Sequence, residues 1–175
     1  YKNRLVTFPS NVEKISDWGV EYIYVEDGVY YGKGKGNPIE AERVAQEVFE
    51  HIEKYPNRTL GVITFGIAQE LVIESAINKL RKLHPECEEF FAEDRHEAFF
   101  VKSLENVQGD ERDTIIFSIG YAKDSTGKMA MRFGEVWDLM VWLIFSRKPH
   151  ARQCRTKPIF QKVTLLSSIR TASIM

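Results

Sequence analysis

The sequence has few of the residues from which disulfide-bonded or metal-bound folds are built. Its 175 residues include only two cysteines, Cys87 and Cys154, and four histidines that show no HExxH or paired Cys/His spacing. Two thiols cannot form a disulfide framework or a four-ligand metal site by themselves. We therefore expect reduced thiols, no metal site and a cytoplasmic protein.

Long apolar runs and a strong charge of one sign are also missing. The longest apolar run, residues 139–145, is too short to span a bilayer, and no segment has the pattern of a signal peptide. A formal net charge of −1 gives no global basic field of the kind that attracts nucleic acid. The content of 43% hydrophobic and 12% aromatic residues is typical of about one globular domain of this length.

Two patterns that look like parts of a nucleotide site lack the required details. Residues 122–129 read AKDSTGKM, but a P-loop needs glycine where Ala122 stands and serine or threonine where Met129 stands. Residues 110–113 read DERD and precede an apolar strand, whereas the carboxylates that hold Mg²⁺ follow their strand. The first pattern predicts a simple polar turn, and the chain by itself is not expected to be a complete NTPase.

The hydrophobic pattern predicts alternating strands and helices. Short runs rich in β-branched and aromatic residues predict strands at 20–25, 59–65, 99–102 and 114–119. Apolar residues at helical spacing predict helices at 38–55 and 68–83. Parallel strands need long crossovers, so this alternation indicates an α/β fold with a mainly parallel, helix-covered sheet.

The first helix has a clear start signal. Asn37 is a good N-cap residue, Pro38 suits the first helical position, and Glu40 stands where a capping box has its glutamate. We therefore expect the helix to begin at Pro38, with the Glu40 side chain serving the cap.

The most informative stretch is residues 104–118, which read LENVQGDERDTIIFS. A polar turn at Gln108 and Gly109 carries charged residues and leads directly into an apolar strand. A glycine and a carboxylate at the mouth of a buried strand are typical of α/β enzymes that contact a polar ligand at the sheet edge. The Glu111 carboxylate would accept a hydrogen bond from a ribose hydroxyl, although an exposed charged turn has the same composition.

This stretch resembles motif V of superfamily 1 helicases, particularly the large bacterial helicases related to the nonsense-decay group. Residues 61–69, GVITFGIAQ, resemble motif IV of the same proteins. Residues 3–10, 37–42 and 131–134 are similar to further parts of their second RecA-like domain. The resemblance covers about residues 1–134.

The resemblance implies a fold, a function and partners. The fold is a three-layer α/β RecA-like domain with a mainly parallel sheet and without its own P-loop. The function is that of the C-terminal motor domain of an ATP-dependent helicase, which uses ATP and Mg²⁺ in the complete parent protein; this chain alone would bind neither. The partners are the N-terminal RecA-like domain of the parent and single-stranded nucleic acid, DNA rather than RNA, with no membrane.

The resemblance also implies individual site residues. Nucleotide contacts are implied for Phe65, Gly66, Gln69, Gln108, Gly109 and Glu111. Nucleic-acid contacts are implied for Thr64, Ser103 and Asn106.

The pattern departs from the family after Gly134. The family continues with an arginine-rich motif VI, whereas this chain has no such stretch, and only Arg147 stands as a candidate for the catalytic arginine of that motif. Residues 135–175 carry 7 basic and 2 acidic side chains, and no acid follows Asp138. A divergent terminus, a truncated gene product and a shifted reading frame all fit this divergent basic segment.

Two further expectations follow from the departure. Trp137, Trp142 and the apolar residues around them should cover part of the sheet or a partner chain, and residues beyond Pro149 should be mobile or extended. The alternative function is a non-catalytic RecA-like module, a degraded helicase fragment that only binds nucleic acid or protein.

Overall fold

The computed structural model describes residues 19–31, 35–95, 97–107, 109–124, 126–128 and 162–167. The strands within these residues are β1 (Gly19–Tyr24), β2 (Leu60–Thr64), β3 (Phe100–Ser103), β4 (Thr114–Ser118) and β5 (Lys162–Ser167). The α-helices are α1 (Pro38–Lys54) and α2 (Ile67–Arg81), and 3₁₀ segments cover Pro85–Phe91 and Leu104–Asn106. The strands form one sheet in the order β1-β5-β4-β2-β3, and every pair in it is parallel. The α/β fold predicted from the sequence is confirmed, as are its four strands and two helices.

The sheet is buried on both faces, as a parallel sheet requires. Leu60, Val62, Ile116 and Leu166 face a core that they share with the buried sides of α1, α2 and segment Pro85–Phe91. The opposite face carries a second cluster, made of Ile63, Phe100, Ile115 and Phe117. Both helices of the described part of the chain therefore lie on one face of the sheet.

The start of α1 was predicted correctly, but the role of Glu40 was not. The Asn37 side chain caps the helix by accepting a hydrogen bond from the Glu40 N–H at 3.2 Å. A capping-box glutamate would return the contact to the Asn37 N–H, which instead donates to Gln69 Oε1 at 2.7 Å. The Glu40 side chain is fully buried and turns toward β4.

Strand β5 lies in the C-terminal segment, where no strand was predicted. Residues beyond Pro149 were expected to be mobile or extended. Lys162–Ser167 lies inside the sheet between β1 and β4, with Thr164 and Leu166 buried. These residues are extended, as expected, but their place inside the sheet was missed because the run VTLL shows no alternation and has the near-continuous apolar character of a strand buried on both faces.

Candidate functional site

A row of hydroxyl groups crosses the carboxyl edge of the sheet. Thr64 is in register with Ser103 of β3 on one side and with Ser118 of β4 on the other. All three side chains are almost fully buried. The Thr64 hydroxyl donates to the Gly66 carbonyl at 3.1 Å, and the Ser103 Oγ accepts from Asn106 Nδ2 at 3.0 Å. Thr64, Ser103 and Asn106 are the residues for which the resemblance implied nucleic-acid contacts. The register places Thr64 beside Ser103, and the hydrogen bond to Ser103 adds Asn106. Of these residues only Asn106 is exposed.

A buried carboxylate lies next to this row. Glu40 Oε1 accepts hydrogen bonds from the Ser118 hydroxyl at 2.7 Å and from the Gly120 N–H at 2.8 Å. Glu40 Oε2 accepts a longer bond, 3.3 Å, from Asn37 Nδ2. A charged group is stable in such a place only when hydrogen bonds replace its water. These contacts therefore tie the first turn of α1 to the end of β4.

Gln69 joins the same network from the first turn of α2. Its Nε2 donates to the Asn37 carbonyl and to Ser118 Oγ, at 3.3 and 3.1 Å. The side chain lies between Gly36 and Gly120, which have φ values of +61° and +73° and approach it so closely that a Cβ on either would overlap or crowd it. Glycine is required at both positions by conformation and by space. Both Nε2 hydrogens are used inside the fold, so a nucleotide contact from Gln69 stays a prediction that rests on the resemblance alone.

The beginning of α2 is open by comparison. Gly66 is the N-cap residue, it has no side chain to cap the helix, and nothing lies within 4 Å of where its Cβ would be. Phe65 is half-buried and packs against the second core cluster. First-turn amides without a capping side chain carry the positive end of the helix dipole, which favours anions.

The loop at residues 107–113 is attached to the sheet on both sides of its exposed part. Lys102 Nζ contacts Asp110 Oδ2 at 2.7 Å. Arg112 donates from Nε and Nη2 to the Ala98 carbonyl, at 3.1 and 2.6 Å. Between these anchors Glu111 is exposed, and within the described residues its carboxylate has no hydrogen-bond partner. The loop therefore presents one unengaged carboxylate in a fixed place.

The last acid of the DERD pattern, Asp113, has a structural role at the end of this loop. The Asp113 carboxylate accepts hydrogen bonds from the N–H and hydroxyl of Thr59, at 3.1 and 3.3 Å. This contact joins the residues that immediately precede β2 and β4. It places Asp113 at the amino edge of the sheet, opposite the row of hydroxyls.

The described site residues fall into two groups. Thr64, Gly66, Gln69 and Ser103 lie at the carboxyl edge, and the loop that carries Gly109 and Glu111 runs back along β3, with Asp110 beside Lys102 and Arg112 beside Ala98. The prediction that this turn leads directly into a buried strand is confirmed, because β4 begins at Thr114, whereas its contact with a ligand stays a prediction.

Gly109 has a φ of +89°, and nothing lies within 4 Å of where its Cβ would be. The positive φ confirms that a glycine is needed for the turn itself. Gln108, Arg147 and the tryptophans Trp137 and Trp142 lie outside the described residues, so their predicted roles stay predictions.

Sequence reasoning missed the most tightly bonded part of the site. Ser118 was predicted only as a strand residue, Gly120 was given no role, and Asn37 and Glu40 were predicted as a helix cap. The sequence offered one indication of this network. Ser118 ends a buried strand, Gly120 stands just beyond it, and Glu40 is an acid in the first turn of a helix. Their contacts join residues about 80 positions apart, which periodicity cannot reveal.

The P-loop-like stretch forms a polar turn, as predicted. Asp124 Oδ1 accepts from the N–H and hydroxyl of Thr126 and from the Lys128 N–H, at 2.6 to 2.9 Å. The Thr126 hydroxyl is the main cause that lowers the pKa of Asp124, with the Lys128 N–H next. Before this turn, burial and then the neighbouring Tyr30 raise the pKa of Tyr121, whose ring centroid is 5.7 Å from that of Tyr30. These groups organise the described part of the loop after β4.

Two searches of the described residues were negative. No cluster of three or more His, Cys, Asp or Glu side chains among them could hold a metal ion. None of the helices in the described part of the chain is long and apolar enough to cross a membrane.

Comparison with known proteins agrees with the fold. A family model described as AAA domain matches residues 13–138. An uncharacterized ATP-dependent helicase of Mycoplasma genitalium is 39% identical over 117 residues, and its homolog in Mycoplasma pneumoniae is 38% identical over 117 residues. Each alignment covers 63% of this chain and 10% of the relative, so the chain spans about a tenth of the length of these proteins. The parallel α/β sheet and these similarities identify a helicase-type domain, and the chain belongs to the AAA domain family.

Proposed function

We propose that this chain is the C-terminal motor domain of an ATP-dependent superfamily 1 helicase of the bacterial group related to nonsense-decay helicases. The observation that carries the proposal is the loop at residues 107–113, which holds an exposed carboxylate, Glu111, next to a turn glycine, Gly109. The helicase names of the two relatives and the AAA domain match support the same function.

In the proposed motor, ATP and Mg²⁺ lie between this domain and an N-terminal RecA-like domain of the parent. The other domain supplies the P-loop and the carboxylates for Mg²⁺, because residues 122–129 and 110–113 provide neither here. Glu111 accepts a hydrogen bond from a ribose hydroxyl, and backbone amides at Gly109 and at the start of α2 donate to phosphate oxygens. Closure of the two domains then brings these groups onto the nucleotide.

Single-stranded nucleic acid is proposed to bind at the β3 end of the carboxyl edge. Asn106 is exposed and donates to Ser103, which leaves the amide oxygen of Asn106 at the surface. In this arrangement Asn106 contacts sugar or phosphate groups. The buried Ser103 hydroxyl positions the Asn106 side chain, and the buried Thr64 hydroxyl fixes the neighbouring backbone at Gly66. Such contacts carry no base preference, as a translocating motor requires.

The second candidate is a non-catalytic module that only binds nucleic acid or protein. The observation in its favour is that Asp110 and Asp113 of the DERD pattern are engaged with Lys102 and Thr59 rather than free for a metal. A module of this kind would keep strand binding without any dependence on ATP.

Turnover measurements distinguish the two. The purified chain should hydrolyse no ATP, whereas the complete protein that carries it should hydrolyse ATP faster when oligo-dT is present. Oligo-U in place of oligo-dT tests the preference for DNA. Turnover by the chain alone would refute the division of labour, and strand binding by a complete protein that never hydrolyses ATP would establish the non-catalytic module.

A further inference from the structure

We propose that the ion pair between Lys102 and Asp110, here called the latch, is the device that positions Glu111 for nucleotide use. The inference rests on the proposed function, because it concerns the same loop. Lys102 Nζ lies 2.7 Å from Asp110 Oδ2. Asp110 stands between Gly109 and Glu111, so holding its side chain fixes the backbone of both neighbours.

The latch works together with a second anchor. Arg112 grips the Ala98 carbonyl through two donors, and its guanidinium lies 4.8 Å from the Phe100 ring centroid. Lys102 also lies over the Phe100 ring, at 5.1 Å from its centroid. The residues on both sides of Glu111 are thus fixed to β3, and Glu111 itself is left exposed with its carboxylate unengaged in the described structure.

The ion pair is poorly placed to serve stability. The Lys102 and Asp110 side chains retain 37% and 25% of their exposure, and partly exposed ion pairs contribute little to the free energy of folding. A turn built on a glycine with a φ of +89°, with open space beside it, has many conformations available without an anchor. We therefore infer that the latch holds the loop in position and contributes little to the stability of the fold.

The alternative role for Lys102 is a direct contact with a nucleic-acid phosphate. The two roles make opposite predictions for the partner residue. If the latch positions Glu111, removing either charge harms nucleotide use. If Lys102 binds phosphate, Asp110→Asn frees the lysine and strengthens strand binding, while Lys102→Met weakens it.

The test measures ATP hydrolysis by the complete protein that carries the domain, with oligo-dT present. Lys102→Met and Asp110→Asn should each raise the KM for ATP about tenfold with a smaller change in kcat, within the range that misplacement of a contact group costs. The exchanged pair, Lys102→Asp with Asp110→Lys, should recover most of the loss. Arg81→Met is the matched control, since the Arg81–Glu88 pair is a surface ion pair of similar exposure outside the loop.

A second readout uses the isolated chain and does not depend on catalysis. Amide ¹⁵N relaxation at Gly109 and Glu111 should show greater motion in Lys102→Met and in Asp110→Asn, and no change in Arg81→Met. Lys102→Arg keeps the charge and should therefore keep the loop as ordered as in the unchanged chain. It serves as the conservative control if the exchanged pair fails to fold.

The outcomes separate the two proposals. If Glu111→Ala leaves the KM for ATP unchanged, the proposed function of the loop is wrong. If Glu111→Ala impairs nucleotide use while both latch variants behave like Arg81→Met, only the latch is refuted. Tighter oligo-dT binding by Asp110→Asn, with loop order unchanged, also overturns the latch and makes Lys102 a phosphate contact.

Discussion

At the scale of single residues, the carboxyl edge depends on polar groups that are buried and satisfied. Glu40 has donors from three different segments: the helix cap, the end of β4 and the following turn. The Ser118 hydroxyl and the Gly120 N–H would lose their acceptor if the carboxylate were removed. The cost of such a change comes mainly from the groups that remain behind.

Glu40→Ala should therefore destabilise the fold strongly. The change leaves the buried Ser118 hydroxyl and Gly120 N–H without their acceptor. We expect a loss of about 2–4 kcal/mol in the free energy of unfolding. Glu42→Ala is the control, because Glu42 is exposed on the same helix. Urea denaturation followed by circular dichroism measures both, and equal losses for the two variants would show that the network contributes nothing.

Two glycines allow conformational strain to be separated from steric contact. Gly120 and Gly127 have φ values of +73° and +79°, but only at Gly120 would a Cβ meet Gln69, at 3.1 Å. Both alanine variants lose about 1 kcal/mol because of the positive φ. Gly120→Ala should lose about 1–3 kcal/mol more through overpacking against Gln69. Thermal melting checks the difference, and the same melting temperature for both variants would contradict the packing of Gln69 described here.

At the scale of secondary-structure elements, the sequence predicted what local patterns encode. α1 begins at Pro38 as its capping pattern indicated, and β2 and β4 correspond to near-continuous apolar runs. The roles of Glu40 and Gln69 were not predictable, because they depend on contacts between residues tens of positions apart. The motif resemblance identified the exposed loop. The course of the loop along β3 was not predictable, because it depends on the contacts of Asp110 with Lys102 and of Arg112 with Ala98.

β5 is the element where pattern reasoning failed, and it offers a direct test. Leu166 is fully buried in the main core, whereas Leu83 is 72% exposed. Leu166→Ala should lower the free energy of unfolding by about 2–5 kcal/mol, and Leu83→Ala by less than about 0.5 kcal/mol. Chemical denaturation measures both changes. A Leu166→Ala variant as stable as Leu83→Ala would mean that β5 does not complete the sheet and that residues 135–175 stand apart from the fold.

At the scale of the whole molecule, the described residues form a helicase-type α/β domain, for which we propose the role of one half of a motor. The described residues include a row of buried hydroxyls and the exposed carboxylate of Glu111, and the sequence has no P-loop. These features suit a domain that completes a nucleotide site formed elsewhere.

The central claim is that Glu111 serves nucleotide use in the complete protein. The most direct test compares Glu111→Ala with Glu105→Ala, since both are exposed glutamates in the same connection between β3 and β4. Neither change should alter the melting temperature, because exposed side chains contribute little to stability. The account predicts that Glu111→Ala raises the KM for ATP about tenfold in oligo-dT-stimulated hydrolysis, as expected for one lost charge-assisted hydrogen bond, while Glu105→Ala matches the unchanged protein. Identical ATP kinetics for the two variants would contradict it.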